Sequence, residues 1–171
     1  VVVDARLEHG PAPGTMGYDD EGVAPQRTEV VTEGIFTGFL TSRETAPAIG
    51  QARSNGSMRA VGWNFAPLVR ITNLSLLPGA GSLESLIGDT RDGVLMSTIR
   101  SWSIDDKRVN FQFGPEIAWE IKGGKRGRML KNPSYGGNTL EFWNSLDRVC
   151  GPEEWLLWGM PDCGKGQPYQ M

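Results

Sequence analysis

The chain has 171 residues, 39% of them apolar and 22% charged, with a formal net charge of −3. That length suits one domain with a sizeable core, and the charge balance gives no electrostatic reason to expect nucleic acid as a partner. No apolar run approaches the roughly 20 residues a membrane-spanning helix needs, so no membrane association is expected.

Twenty-three glycines and eleven prolines punctuate the chain so often that long helices have little room. Val1-Val2-Val3 runs straight into Asp4, Arg6 and Glu8, unlike a secretory leader. Two cysteines, Cys150 and Cys163, make no disulfide framework, and the expectation is a cytoplasmic protein with free thiols. The chain opens inside a strand without Met and stops just after a loop. It is therefore read as a single domain, 1–171, truncated at both ends.

Residues 1–8 alternate loosely and begin β-branched, which predicts a strand. Residues 9–17 (HGPAPGTMG) form a loop. Asp19-Asp20-Glu21 is the densest acidic run; lacking the alternation of a calcium loop, it reads as a solvated turn. Residues 27–33 and 35–40 predict a β-hairpin turning at Glu33-Gly34. Ser42 is a candidate N-cap for a short helix through residue 49, closed by Gly50, with Pro47 counting against it. Residues 51–58 (QARSNGSM) read as a polar loop suited to line a cleft, and 68–77 as one long strand.

Pro78 to Gly81 breaks that strand, and Ser82 caps a second short helix that Gly88 ends. Strands are expected over 93–102 and 109–113, separated by a turn at Asp105-Asp106-Lys107. Residues 117–122 and 126–130 predict a second hairpin around Gly123-Gly124-Lys125. A helix over 139–149 should bury Leu140, Trp143, Leu146 and Val149 on one face, and 155–160 read as a last strand. At least eight strands joined by hairpins, with three short helices, predict an α+β fold. It is mainly antiparallel β-sheet with a few short helices.

The chemistry is sparse. Walker, dinucleotide and GxSxG motifs are missing, and the single histidine, His9, closes neither a two-histidine zinc motif nor a Ser/His/Asp triad. The segment WGMPDCGKGQP presents Cys163 between an apolar run and a glycine-rich turn. Glycine there lets the backbone approach an ion or a substrate closely, so Cys163 is a candidate metal ligand or nucleophile. Against this stand a partly buried structural thiol and, for His9, a plain loop histidine. A cysteine enzyme using Cys163 with His9 as base is a further reading.

Several segments together resemble the C-terminal domain of the TldD/PmbA family of peptide-maturation metalloproteases. They are residues 18–23 (YDDEGV), 33–39 (EGIFTGF), 53–56 (RSNG), 70–76 (RITNLSL) with Pro78-Gly79, 110–113 (NFQF) and 163–168 (CGKGQP). Order and spacing carry the likeness across nearly the whole chain. The resemblance implies a zinc peptidase in the longer parent. An HExxxH helix upstream would supply two histidine ligands and the glutamate general base, and Cys163 would complete the metal shell. It also implies peptide or unfolded-protein substrates, and a homo- or heterodimer with a subunit of the same family. HExxxH is absent from these 171 residues. No catalytic residue is therefore expected within the chain, and the fragment alone should be inactive. The alternative is a non-catalytic peptide-binding or subunit-assembly domain acting by β-strand addition.

Overall fold

β-Branched Val2 and Val3 suit a pleated, doubly flanked position. In the computed structural model, which describes residues 1–159 and Gly164, they form the central strand of a small antiparallel sheet. The chain divides into two compact units, one built on Val1–Leu77 and the other on Pro78–Trp155.

The first unit contains β1 (Val2–Val3), β2 (Thr28–Glu29), β3 (Val31–Thr32), β4 (Ile35–Phe36), β5 (Met58–Arg59), β6 (Leu68–Val69) and β7 (Leu74–Ser75). β1 lies between β2 and β7, while β3–β4 and β5–β6 are separate two-stranded pairs, all antiparallel. The hairpin expected at Glu33-Gly34 is present. Both turn residues hold left-handed backbone, φ 51° and 79°, which matches the twist of the strands they join.

The long strand expected over 68–77 is two short ones with different partners, and its middle is tied elsewhere. Arg70 N–H donates to Ser57 O at 2.8 Å, and the Asn73 amide bonds Asp4 O and Thr15 Oγ1, each at 3.1 Å. The expected strand over 1–8 likewise shrinks to β1. A 3-10 turn at Leu7–His9 follows it. The expected helix after Ser42 reduces to a turn. Ser42 Oγ accepts Thr45 N–H at 3.0 Å, a 3-10 segment covers Pro47–Ile49, and Gly50 closes it at φ 75°. Pro47 lacks the N–H that would carry the helix on.

In the second unit, α1 (Leu83–Asp89) starts at a reciprocal cap. Ser82 Oγ accepts Ser85 N–H at 3.2 Å, and Ser85 Oγ accepts Ser82 N–H at 3.0 Å. β8 (Asp92–Ser97), β9 (Ser101–Ile104), β10 (Asn110–Gly114), β11 (Ile117–Lys122), β12 (Lys125–Leu130) and β13 (Tyr135–Asn138) follow, then α2 (Thr139–Asn144). They form two three-stranded antiparallel sheets, β12-β11-β8 and β13-β10-β9. The expected 93–102 strand is therefore two strands in different sheets, parted where Thr98 takes φ 56°. The second hairpin is as expected, turning through Gly123 and Gly124 at φ 54° and 73°.

Three expectations fail beyond β13. α2 ends at Asn144 rather than 149, because the Ser145 hydroxyl donates to Phe142 O at 2.7 Å and competes with the helical ladder. The apolar face expected to be buried is instead open, with Leu140 74% exposed; Phe142 alone packs on the aromatic side of β10, its ring 5.2 Å from Phe111. No strand forms over 155–159, where a 3-10 turn, Pro152–Glu154, precedes irregular chain. Among the described residues, mostly antiparallel strands with two α-helices make the fold α+β. No helix among the described residues is long and apolar enough to cross a membrane.

Candidate functional site

The sequence points to Cys163, which lies outside the described residues. His9 ends the 3-10 turn Leu7–His9. Among the described residues no three of His, Cys, Asp and Glu converge on a point that could hold a metal ion. A catalytic zinc needs about three protein ligands and an open position. The residues in hand do not fit such an ion, and no hydrolytic step is derived through one.

What the first unit does assemble is a buried polar network. Asp4, Asp19, Thr41, Ser42, Ser54, Asn55 and Ser57 are buried beside a small apolar set of Val2, Val3, Ala5, Ala46 and Met58. Buried polar groups persist where they find partners, as most of these do, while among the described residues Thr72 Oγ1 in the same unit is buried without one. Asp19 Oδ1 accepts Glu21 N–H and Val23 N–H at 2.9 Å each, and Oδ2 accepts Met58 N–H at 3.1 Å. Asp20 Oδ2 accepts Ala60 N–H at 2.7 Å and Glu21 Oε2 accepts Arg43 N–H at 2.7 Å. The acidic run is thus a turn, as expected, though not a solvated one at Asp19. Its three carboxylates each reach distant loop backbone.

Asn55 holds the facing loop. Its Oδ1 accepts Thr41 N–H at 2.9 Å, its Nδ2 donates to Phe39 O at 2.8 Å, and its N–H donates to Thr41 Oγ1 at 3.2 Å. Ser54 Oγ donates to Thr41 O at 2.9 Å. Gly56 has φ 71°, and a Cβ there would lie 2.6 Å from Pro25 Cα, so only glycine lets the two loops meet. The 51–58 loop, read as a polar cleft lining, is largely buried and held as a scaffold from Ser54 to Met58. Arg53 alone in its RSNG stretch points to solvent.

At the start of this unit Asp4 forks onto Arg6, with Nε to Oδ1 and NH2 to Oδ2 both at 2.9 Å. Arg27 stands 4.0 Å away from Asp4. The Asp4 hydrogen bond raises the Arg6 guanidinium's pKa above its ordinary value.

The second unit carries its charges on the surface. Lys122 and Arg91 hydrogen-bond Asp92 and hold its carboxyl below the usual range. The Arg126 guanidinium lies 5.1 Å from the centre of the Trp119 ring. Asp105 accepts the N–H groups of Asn110, Val109 and Lys107, and Asn110 above all keeps its carboxyl low. This Asx-type network makes the turn expected at 105–107.

A cleft of about 610 Å³ opens along β9 and the end of β10. Trp102 and Phe113 are cross-strand partners there, and Arg100 is among the lining residues. From strand spacing Trp102 and Phe113 read as core aromatics, yet Trp102 is 57% exposed; Arg100 carries no sequence signal. For the aromatic pair the signal was available in SWSI and NFQF, whose strict alternation puts aromatic residues on one face of the sheet and Ser103 and Gln112 on the other.

A sequence profile described as the PmbA/TldA metallopeptidase C-terminal domain matches residues 1–167. Metalloprotease MJ0996 of Methanocaldococcus jannaschii is 36% identical over 149 residues, covering 87% of this chain and 32% of that protein. A protein named zinc metalloprotease TldD homolog from Saccharolobus solfataricus is 27% identical over 144 residues, 84% of this chain and 32% of its own length. Among solved structures, TldE from Thermococcus kodakarensis superposes with a TM-score of 0.74 at 22% identity, over 88% of this chain and 34% of that one. The chain spans about a third of the length of the relatives it matches.

Proposed function

Because the chain belongs to the PmbA/TldA metallopeptidase family, we propose that it is the C-terminal domain of a TldD-like zinc metallopeptidase cleaving extended or unfolded peptides, and that it contributes Cys163 as one metal ligand. The observation that carries this reading is the profile match across residues 1–167, which takes in the CGK segment around Cys163. The zinc assignment draws support from the name carried by the Saccharolobus relative. The remaining ligands and the general base would come from an HExxxH helix in the parent, outside residues 1–171.

When bound, zinc would polarise the scissile carbonyl and lower the pKa of an attacking water. This chain's part would be to offer one thiolate. With His9 as its sole histidine, the isolated chain cannot complete such a site, and it should neither retain stoichiometric zinc nor cleave peptides. The parent works as a dimer with a subunit of its own family, in the cytoplasm; the superposition on TldE supports kinship with such subunits.

The test compares three proteins for zinc retained after dialysis and for peptide hydrolysis: the 171-residue chain, the full-length parent and the parent carrying Cys163→Ala. The parent alone should score on both. A Cys163→Ala parent with full zinc and full activity would remove the ligand assignment. Hydrolysis by the isolated chain would revive the reading with Cys163 as nucleophile and His9 as base. A parent that binds peptides but never cleaves them would favour the strand-addition reading, for which β9 offers an open sheet edge.

A further inference from the structure

The cleft along β9 has a composition that selects a ligand. Of its lining residues Arg100 alone is charged, and among the described residues its side chain has neither an ion-pair nor a hydrogen-bond partner. Unpaired guanidinium groups at a concave wall attract anions, because field lines concentrate where low-dielectric walls exclude water. Beside it stands Trp102, 57% exposed, in cross-strand register with Phe113. An indole left open next to a cation accepts an apolar side chain.

The far wall carries Asn132, held in left-handed backbone at φ 48°, and Ser134, which add neutral hydrogen-bonding groups. The volume suits a few residues of extended peptide rather than a folded partner. One guanidinium fork with no second cation fits a singly charged carboxylate better than a phosphate dianion, which draws several charged donors.

We propose that this cleft binds a carboxylate on an extended peptide, gripping it with Arg100 and seating the neighbouring apolar side chain on Trp102. The proposal deepens the peptidase reading, on which it rests for peptides as the ligand class, by giving the substrate an acidic preference. The carboxylate can come from an internal Asp or Glu or from a free C-terminus.

The experiment uses the full-length parent and fluorescently labelled peptides of one apolar sequence. One carries Glu, one Gln at the same place, and one phosphoserine; each is made with a free and an amidated C-terminus. Anisotropy at low salt, extrapolated to zero time, gives Kd. The Glu peptide should bind about two- to fivefold tighter than the Gln peptide if the source is a side chain; the free-acid form should show that margin over the amide if it is a terminus. The margin should fall to about one in Arg100→Gln and persist in part in Arg100→Lys. Trp102→Ala should weaken both members of a pair alike and leave their ratio standing. Circular dichroism confirms that the variants fold, as expected for exposed side chains.

Equal binding of both pairs by the parent, or a margin that survives Arg100→Gln, overturns the proposal. An Arg100-dependent preference for phosphoserine over Glu overturns it in favour of phosphate. Because the readout is binding, a parent that shows the margin but cleaves nothing sinks the peptidase reading and leaves the cleft assignment intact. An active peptidase without the margin does the reverse.

Discussion

Replacing Asp19 by alanine removes the acceptor of three backbone N–H groups at once. Two of them, on Glu21 and Val23, are part-buried, and water can replace the lost oxygen at a net cost of about 0.5–1 kcal/mol each. The third, on Met58, is buried. Leaving it without an acceptor costs about 1–3 kcal/mol. The sum, about 2–5 kcal/mol, is a large share of the roughly 5–15 kcal/mol that holds a domain folded. Asp19→Asn separates the contributions. The amide oxygen can keep the two bonds that Oδ1 makes, while the amide nitrogen faces the Met58 N–H donor to donor, so a loss of about 1–2 kcal/mol is expected. Urea unfolding followed by far-ultraviolet circular dichroism reads the difference. With a slope near 2 kcal/mol per molar, the alanine variant should lower the midpoint by about 1–2.5 M and asparagine by about 0.5–1 M. An alanine variant within about 0.3 M of the parent sequence would refute the claim that this carboxylate holds the loops together.

Asp105 has a depressed carboxyl pKa in the folded state, chiefly through the Asn110 N–H. Its contribution is therefore fully present above the unfolded value of about 3.9 and lost as pH falls through the lower folded value. The midpoint gap between the natural chain and Asp105→Asn should be flat above about pH 5 and close on further acidification; a gap that widens in acid would reverse the sign. Gly124→Ala places a Cβ 2.4 Å from Gly88 O at φ 73°, so thermal melting should drop by about 4–8 °C. An unchanged melt would show that the turn can relax.

The hairpins, the capped start of α1 and the antiparallel character were legible because each rests on local chemistry. Glu33-Gly34 and Gly123-Gly124 need left-handed backbone, and Ser82 needs only its neighbours three residues on. The errors came where a distant partner outbids the local pattern. Residues 68–77 read as one strand until Asn73 is seen bonding Asp4, and Asp19 reads as solvated until the Met58 amide arrives. The α2 face misled for another reason: apolar spacing reports what a helix can cover, and Ser145 stops the helix before the face is complete. Of the candidate sites, the sequence singled out Cys163, by its glycine-rich turn and by resemblance. The β9 cleft needed three dimensions, since Arg100 and Asn132 meet only through the sheet.

The central place of β1 has a consequence during synthesis. Its neighbour β7 and the Asn73 side chain that reaches Asp4 lie far along the chain, the latter pair 69 residues apart. At about 5–20 residues per second the ribosome supplies that partner roughly 3–14 s after Asp4 is made. For those seconds Val1-Val2-Val3 is an apolar strand with an unfilled edge, the kind of segment that recruits a neighbouring nascent chain. Asp4, Arg6 and Glu8 directly follow it, and charges in that position oppose stacking before the fold can close. The ion pairs that fix these residues in the folded protein are thus made by groups that, until β7 arrives, guard the strand from its own copies.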